Sequence, residues 1–137
     1  MTQIDFYQLN PERHRADWVI CQLCQKAFDK QKKTLVLTQN HDQSTHLDLQ
    51  LWVFSDDSFI PHDTEQSDDF DTPILIQDSA PQGCERPLLI NLCDYIPDNF
   101  AQYQHIIELV TEDNKQQTRS HYRFYRERGY PLRHHKL

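Results

Sequence analysis

Apolar and polar positions alternate through Gln3-Ile-Asp-Phe-Tyr-Gln-Leu9, the period of a strand with two different faces, and the run ends at Asn10-Pro11. A capping residue followed by proline suits the first turn of a helix. The pattern therefore predicts a strand leading into a helix from about Pro11 to Lys30, with Trp18, Cys21, Leu23, Cys24, Ala27 and Phe28 toward the core and lysines in its last turn. A short strand, Thr34 to Thr38, completes a βαβ unit, which should cross over right-handed onto a parallel sheet.

A second helix, capped by Asp42 or Ser44, carries Leu47, Leu49, Leu51 and Trp52, and an irregular but apolar stretch follows from Val53 to His62. Asp63, Glu65, Asp68, Asp69 and Asp71 then occur without a cation, so self-repulsion should keep an acidic loop over 63–72 extended and mobile. Pro73-Ile-Leu-Ile-Gln77 and Pro87-Leu-Leu-Ile-Asn-Leu92 read as buried strands joined by a plain turn from Asp78 to Arg86. One helical turn over Asp98–Tyr103, a fifth strand over His105–Val110 and a last helix capped by Thr111 or Asp113 complete the chain. This order predicts an α/β fold: an open, mostly parallel, Rossmann-like sheet flanked by helices on both faces. The tail 131–137 is expected to fray.

The length of 137 residues suits a single domain spanning 1–137, with a core of its own. No apolar run approaches the ~18 residues of a membrane span, and the N-terminus has no signal pattern, so a soluble, cytoplasmic protein is expected. With only Gly83 and Gly129, the chain has neither a G-x-G-x-x-G turn nor a P-loop, and no nucleotide cofactor is expected. No nucleophile elbow or H-E-x-x-H pattern occurs, so no catalytic residues are assigned. Cys21 and Cys24 form a C-x-x-C, but at i and i+3 of a helix they read as core lining; Cys84 and Cys93 lie at no metal-knuckle spacing, and no metal is expected. His134-His135 is read as solvent-exposed.

Charge changes the picture. Residues 111–137 hold seven basic and three acidic side chains, whereas the remainder holds seven basic and eighteen acidic ones, for a net charge of −7. On a helix, Lys115, Arg119, Tyr122, Arg123 and Arg126 fall within an arc of about 100°. Such a ribbon is either a solvated face or a site for one anionic partner, a phosphate backbone or an acidic peptide. Trp52 and Phe59 similarly read either as core or as an apolar hot spot for a protein partner.

Four stretches together resemble the chi subunit family of bacterial DNA polymerase III. They are Phe6-Tyr7-x-Leu9; Leu47-Asp48-x-x-Leu51-Trp52 leading to Asp57-Ser58-Phe59-Ile60-Pro61-His62; Pro87-Leu-Leu-Ile-Asn-Leu92; and Arg119-x-x-Tyr122-Arg123-x-Tyr125-Arg126-x-x-Gly129-Tyr130. The resemblance runs from end to end, and its second and fourth stretches are the specific parts. It implies a non-catalytic accessory subunit of the clamp-loader assembly in DNA replication. One surface would hold the psi subunit, and another would capture the acidic C-terminal tail of single-stranded-DNA-binding protein. Trp52, Phe59 and Ile60 are then expected at the psi interface, and Lys115, Arg119, Tyr122, Arg123 and Arg126 at the tail site, with DNA contacted only weakly or indirectly. Arg123 stands where the family often has lysine, which keeps the charge and changes its geometry. An alternative use of the same helix is direct binding of single-stranded nucleic acid, with Tyr122, Tyr125 and Tyr130 as stacking platforms.

Overall fold

The computed structural model describes residues 1–54, 60–64, 72–80 and 86–137. Among them, β1 (Gln3–Gln8), β2 (Thr34–Leu37), β3 (His62–Asp63), β4 (Ile74–Gln77), β5 (Leu88–Asn91), β6 (His105–Val110) and β7 (Leu132–Lys136) form one sheet, ordered β3-β4-β2-β5-β6-β1-β7. Every pairing is parallel. Three α-helices connect or flank the strands: α1 (Ala16–Asp29), α2 (His41–Val53) and α3 (Lys115–Glu127), with a 3-10 turn over Phe100–Gln102. The expected open α/β sheet is therefore present, and it is parallel throughout.

Alternation decides which residues meet which helix. Val36, Ile74, Ile76, Leu88, Ile90, Ile107 and Leu109 pack with Val19, Ile20, Cys21 and Cys24 of α1 and Leu47 and Leu51 of α2. Their neighbours Leu35, Leu37, Leu75, Leu89 and Ile106 point the other way and meet Tyr103 and Tyr125, with Phe6 of β1 beside them. The central strands are buried on both faces, so they appear in sequence as continuous apolar runs. At ~25 cal/mol per Å² of apolar surface, these two layers supply the main driving force for folding.

Several boundaries differ from the pattern's expectation. Asn10 initiates a turn, its side chain accepting from the Glu12 amide, and α1 begins only at Ala16. The proline thus serves the turn, because His14 and Arg13 donate back to the Asn10 carbonyl before the helix starts. Trp18, expected in the core, is half-exposed, and Val19 and Ile20 take the buried positions. Asn40, rather than Asp42 or Ser44, caps α2 by accepting from the Gln43 amide at 2.9 Å. Ser44 is instead buried and hydrogen-bonded to Thr38. Asn114 precedes α3, and its side chain binds the Thr111 amide and the Leu109 carbonyl rather than capping the helix.

The largest correction concerns the tail. Residues 132–136 form β7, paired with β1 from Ile4↔Leu132 to Gln8↔Lys136, so they are ordered strand and not a frayed end. Gly129, with φ +78, ends α3 and redirects the chain into this strand; its amide donates to Arg126 O and that of Tyr130 to Tyr125 O. Within the supposed plain turn, Arg86 is buried and donates to the carbonyls of Thr72, Pro73 and Thr34, clamping the starts of β2 and β4. Of the acidic loop, Asp63 belongs to β3; Glu65, Asp68, Asp69 and Asp71 lie outside the described residues, as do Phe59, Gly83 and Cys84.

Candidate partner-binding surfaces

Helix α3 sits on the sheet through Thr118, His121 and Tyr125, at i, i+3 and i+7. Its seat is polar as well as apolar. Glu108 of β6, almost fully buried, accepts from His121 Nδ1 at 2.6 Å and from the Tyr125 hydroxyl at 3.2 Å. His121 Nε2 lies 3.1 Å from the Asp94 carbonyl oxygen. Burial alone would lower the His121 pKa, but the hydrogen bond and charge of Glu108, reinforced by Asp94, outweigh it and hold the imidazole above its ordinary value. Burial raises the Glu108 carboxyl above its usual range despite the opposing His121, Tyr125 and Asn91 contacts. This network fixes the rotation of α3, and with it the direction of the cationic ribbon.

Rotated this way, the ribbon borders a pocket of about 280 Å³ between α3 and the β1–β7 edge. Phe6 and Val110 form its apolar floor, Lys115, Arg119 and Tyr122 its helical wall, and Gln8 and His134 the opposite side. Tyr122 meets Phe6 edge to face, with centroids 5.3 Å apart. Lys115 pairs with Glu112 at 3.2 Å on the surface, a weak contact that a ligand carboxylate can replace. No carboxylate among the described residues pairs with Arg119 or Arg123. Lys115, Arg119 and Tyr122 therefore converge on one concavity. Arg123 and Arg126 are exposed on its flank and do not line it, although the Arg126 guanidinium lies 6.0 Å from the centroid of the Tyr122 ring. Arg128 turns back over Phe124 at 3.5 Å.

Gln8 and His134 belong to this wall but carry no signal in the basic run. His134 Nε2 lies 3.0 Å from Gln8 Oε1, a contact between residues 126 positions apart. Leu132-Arg-His-His-Lys136 has no apolar alternation to announce a strand there.

A second surface lies on α2, on the opposite side of the sheet. Trp52 is 55% exposed, beside the exposed Leu49 and Val53, and contacts the His62 ring edge-on at 5.0 Å. His62 donates from Nδ1 to the Ile60 carbonyl at 2.7 Å, while its Nε2 lies 2.9 Å from Asp48 Oδ1. The expected interface residue Ile60 is only 2% exposed and belongs to the core, where it packs beneath this surface instead of presenting itself. Trp18, half-exposed and tilted against Phe54 at 6.1 Å, adds a second indole on the same sheet face.

Cys21, Cys24 and Cys93 are buried free thiols. Burial pushes the Cys21 and Cys93 thiols up to about 11 and that of Cys24 higher still. Cys21 and Cys24 line the core, as their spacing predicts.

The model of the family described as DNA polymerase III chi subunit, HolC, matches residues 1–133. Among curated proteins, the DNA polymerase III subunit chi of Pseudomonas aeruginosa is 35% identical over 140 residues, covering 100% of this chain and 98% of its own. The DNA polymerase III subunit chi of Haemophilus influenzae is 30% identical over 118 residues, covering 83% of this chain and 82% of its own.

Proposed function

Because this chain belongs to the DNA polymerase III chi subunit family, a family of replication accessory subunits, we propose that it is a non-catalytic adaptor with two protein-binding surfaces. The α3 pocket captures the acidic C-terminal tail of single-stranded-DNA-binding protein, and the Trp52 surface holds the psi subunit of the clamp loader. The protein thereby links the clamp loader to coated single strands in the bacterial cytoplasm.

The observation that carries the first half is the meeting of Lys115 and Arg119 with the rings of Phe6 and Tyr122 and the Val110 side chain in one concavity. A peptide ending in an aromatic residue and a free carboxylate needs both: cations for its acidic groups, and a notch that removes its ring from water. Arg123 and Arg126 then act from the flank, drawing the peptide in by their field. For the second half, exposed Trp52 with Leu49 and Val53 is the kind of apolar cluster that anchors a protein partner.

The test is calorimetric titration of the full chain with an acidic peptide ending in a free aromatic carboxylate, beside its C-terminal amide and an oligothymidylate. Tight binding of the free acid with a clear loss for the amide is expected. Preference of the α3 face for the oligonucleotide would replace this reading by direct nucleic-acid binding.

A further inference from the structure

On the sheet face opposite the α3 pocket, beside the C-terminal end of α1, a cleft of about 630 Å³ opens over β6, β1 and β7. At its centre stands Asp5, whose carboxylate is almost wholly buried. Its Oδ1 accepts from His135 Nε2 at 2.8 Å and forms an ion pair with Arg133, whose Nε lies 3.1 Å away, and its Oδ2 accepts from His105 Nε2. Burial raises this carboxyl, but the hydrogen bonds of His135 and His105 and the charges of His105 and Arg133 outweigh it, leaving Asp5 below the usual carboxylate range. Asp5 is therefore an ionised anchor that orients three nitrogen-bearing side chains brought from two other strands.

Of the three, the guanidinium is not used up by the anchor. The Arg133 side chain is 62% exposed, and its guanidinium carries five N–H donors, more than one carboxylate oxygen can accept. The His135 ring is braced by stacking on Tyr7, with centroids 4.7 Å apart. Lys30 and Lys32, where the chain leaves α1, close the cleft from the other side, and neither pairs with a carboxylate among the described residues. Three fixed cations thus face one carboxylate, with two imidazoles beside them, in a protein whose net charge is −7. The strand β7 serves both faces: His134 points into the α3 pocket, while Arg133 and His135 point into this cleft.

We propose that the cleft formed by Lys30, Lys32, His105, Arg133 and His135 around Asp5 is an anion site of its own, built for the phosphate group of a nucleotide or a nucleic-acid strand. Cationic groups converge on the cleft from the turn after α1 and from β7, as a tetrahedral oxyanion requires, and the volume falls in the range of about 300–1,000 Å³ typical of small-molecule sites. Guanidinium and ammonium groups recognise such oxyanions through charge-assisted hydrogen bonds. The site is independent of the tail-binding reading, since no side chain lines both pockets.

The experiment follows the imidazole signals of His105 and His135 in the full chain by nuclear magnetic resonance during titration with inorganic pyrophosphate and, separately, with a short oligothymidylate. Both rings should shift saturably with at least one probe. Stronger binding of pyrophosphate assigns the phosphate to a free ligand, and stronger binding of oligothymidylate assigns it to a strand. The exposed pair Lys30→Gln/Lys32→Gln should weaken that binding roughly tenfold and, for the strand, flatten the dependence of log K on log salt by about 1.4. Arg119→Ala should leave it unchanged. The proposal is overturned if neither probe moves the rings, if the lysine pair has no effect, or if an acidic peptide moves them and the phosphates do not.

Discussion

Phe6 of β1 and Tyr122 of α3 meet edge to face at 5.3 Å, and this contact joins the core to the mouth of the basic pocket. Phe6 is buried, whereas Tyr122 is partly open to solvent, so one ring holds the other upright beside Arg119. The consequence is that an arriving aromatic side chain finds an ordered apolar wall.

Arg119→Ala is expected to weaken binding of the acidic tail peptide by ~1.5–3 kcal/mol, the contribution of a charge-assisted hydrogen bond to a carboxylate. Its folding stability should hardly change, because Arg119 is exposed. Arg123→Ala should cost less than Arg119→Ala, since Arg123 lies outside the pocket. Calorimetry on the three proteins checks the order; equal losses for both arginines would argue for a diffuse field in place of a site.

The tail contact should weaken from 0.1 to 1 M salt, as the Debye length falls from ~10 to ~3 Å, but it should level off rather than vanish. Burial of the peptide's ring against Phe6 and Tyr122 is not screened. The residual affinity should disappear when the terminal aromatic of the peptide is replaced by alanine, and its persistence would remove the ring from the binding model.

Trp52→Ala is expected to abolish capture of psi in a pull-down while leaving the circular-dichroism melt nearly unchanged, because the indole is 55% exposed. Ile60→Ala should instead lower stability by ~2–5 kcal/mol, as for a fully buried aliphatic side chain. A Trp52→Ala protein that unfolds would return this indole to the core and remove the inference about psi.

Stability should fall on both sides of a mildly acidic optimum. Asp5 is held below its reference value of 3.8, so its contribution is present above about that pH and is lost as pH falls through its folded value. His121 is held above 6.5, so its contribution is complete below that pH and is lost as pH rises through its folded value. Glu108, raised above 4.5 by burial, has the same sign as His121. Urea midpoints measured from pH 3 to 9 check this, and Asp5→Asn should flatten the acid limb alone. A midpoint constant above pH 6.5 would contradict the Glu108–His121 assignment.

Gly129→Ala is expected to cost ~1 kcal/mol through the backbone alone, because φ is +78 and a Cβ there meets nothing within 4 Å. At Gln31, with φ 58, Gln31→Gly should stabilise by a comparable amount. Chemical denaturation of both variants reads the two signs directly.

Much of this molecule is local and therefore legible in the chain. Period-2 alternation in β1, the β-branched and Leu-rich runs of β2, β4 and β5, and the arc of Lys115, Arg119 and Tyr122 depend on side-chain spacing within one element, which the backbone geometry of strand and helix fixes. The sites were harder. Ile60 lies beside Phe59 in a motif that pointed outward, yet its place beneath α2 is set by contacts with residues distant in the chain. The strand β7 is short and polar, with no apolar alternation to announce it, and exists because β1 offers a row of unpaired backbone groups and Gly129 turns the chain toward it. Sequence by itself determined the layers, the direction of the sheet and a cationic helix. Only the tertiary structure decided that His134 would complete one pocket and Arg133 and His135 another around Asp5, because pairing across some 130 residues depends on which edge is free, and no local pattern encodes that.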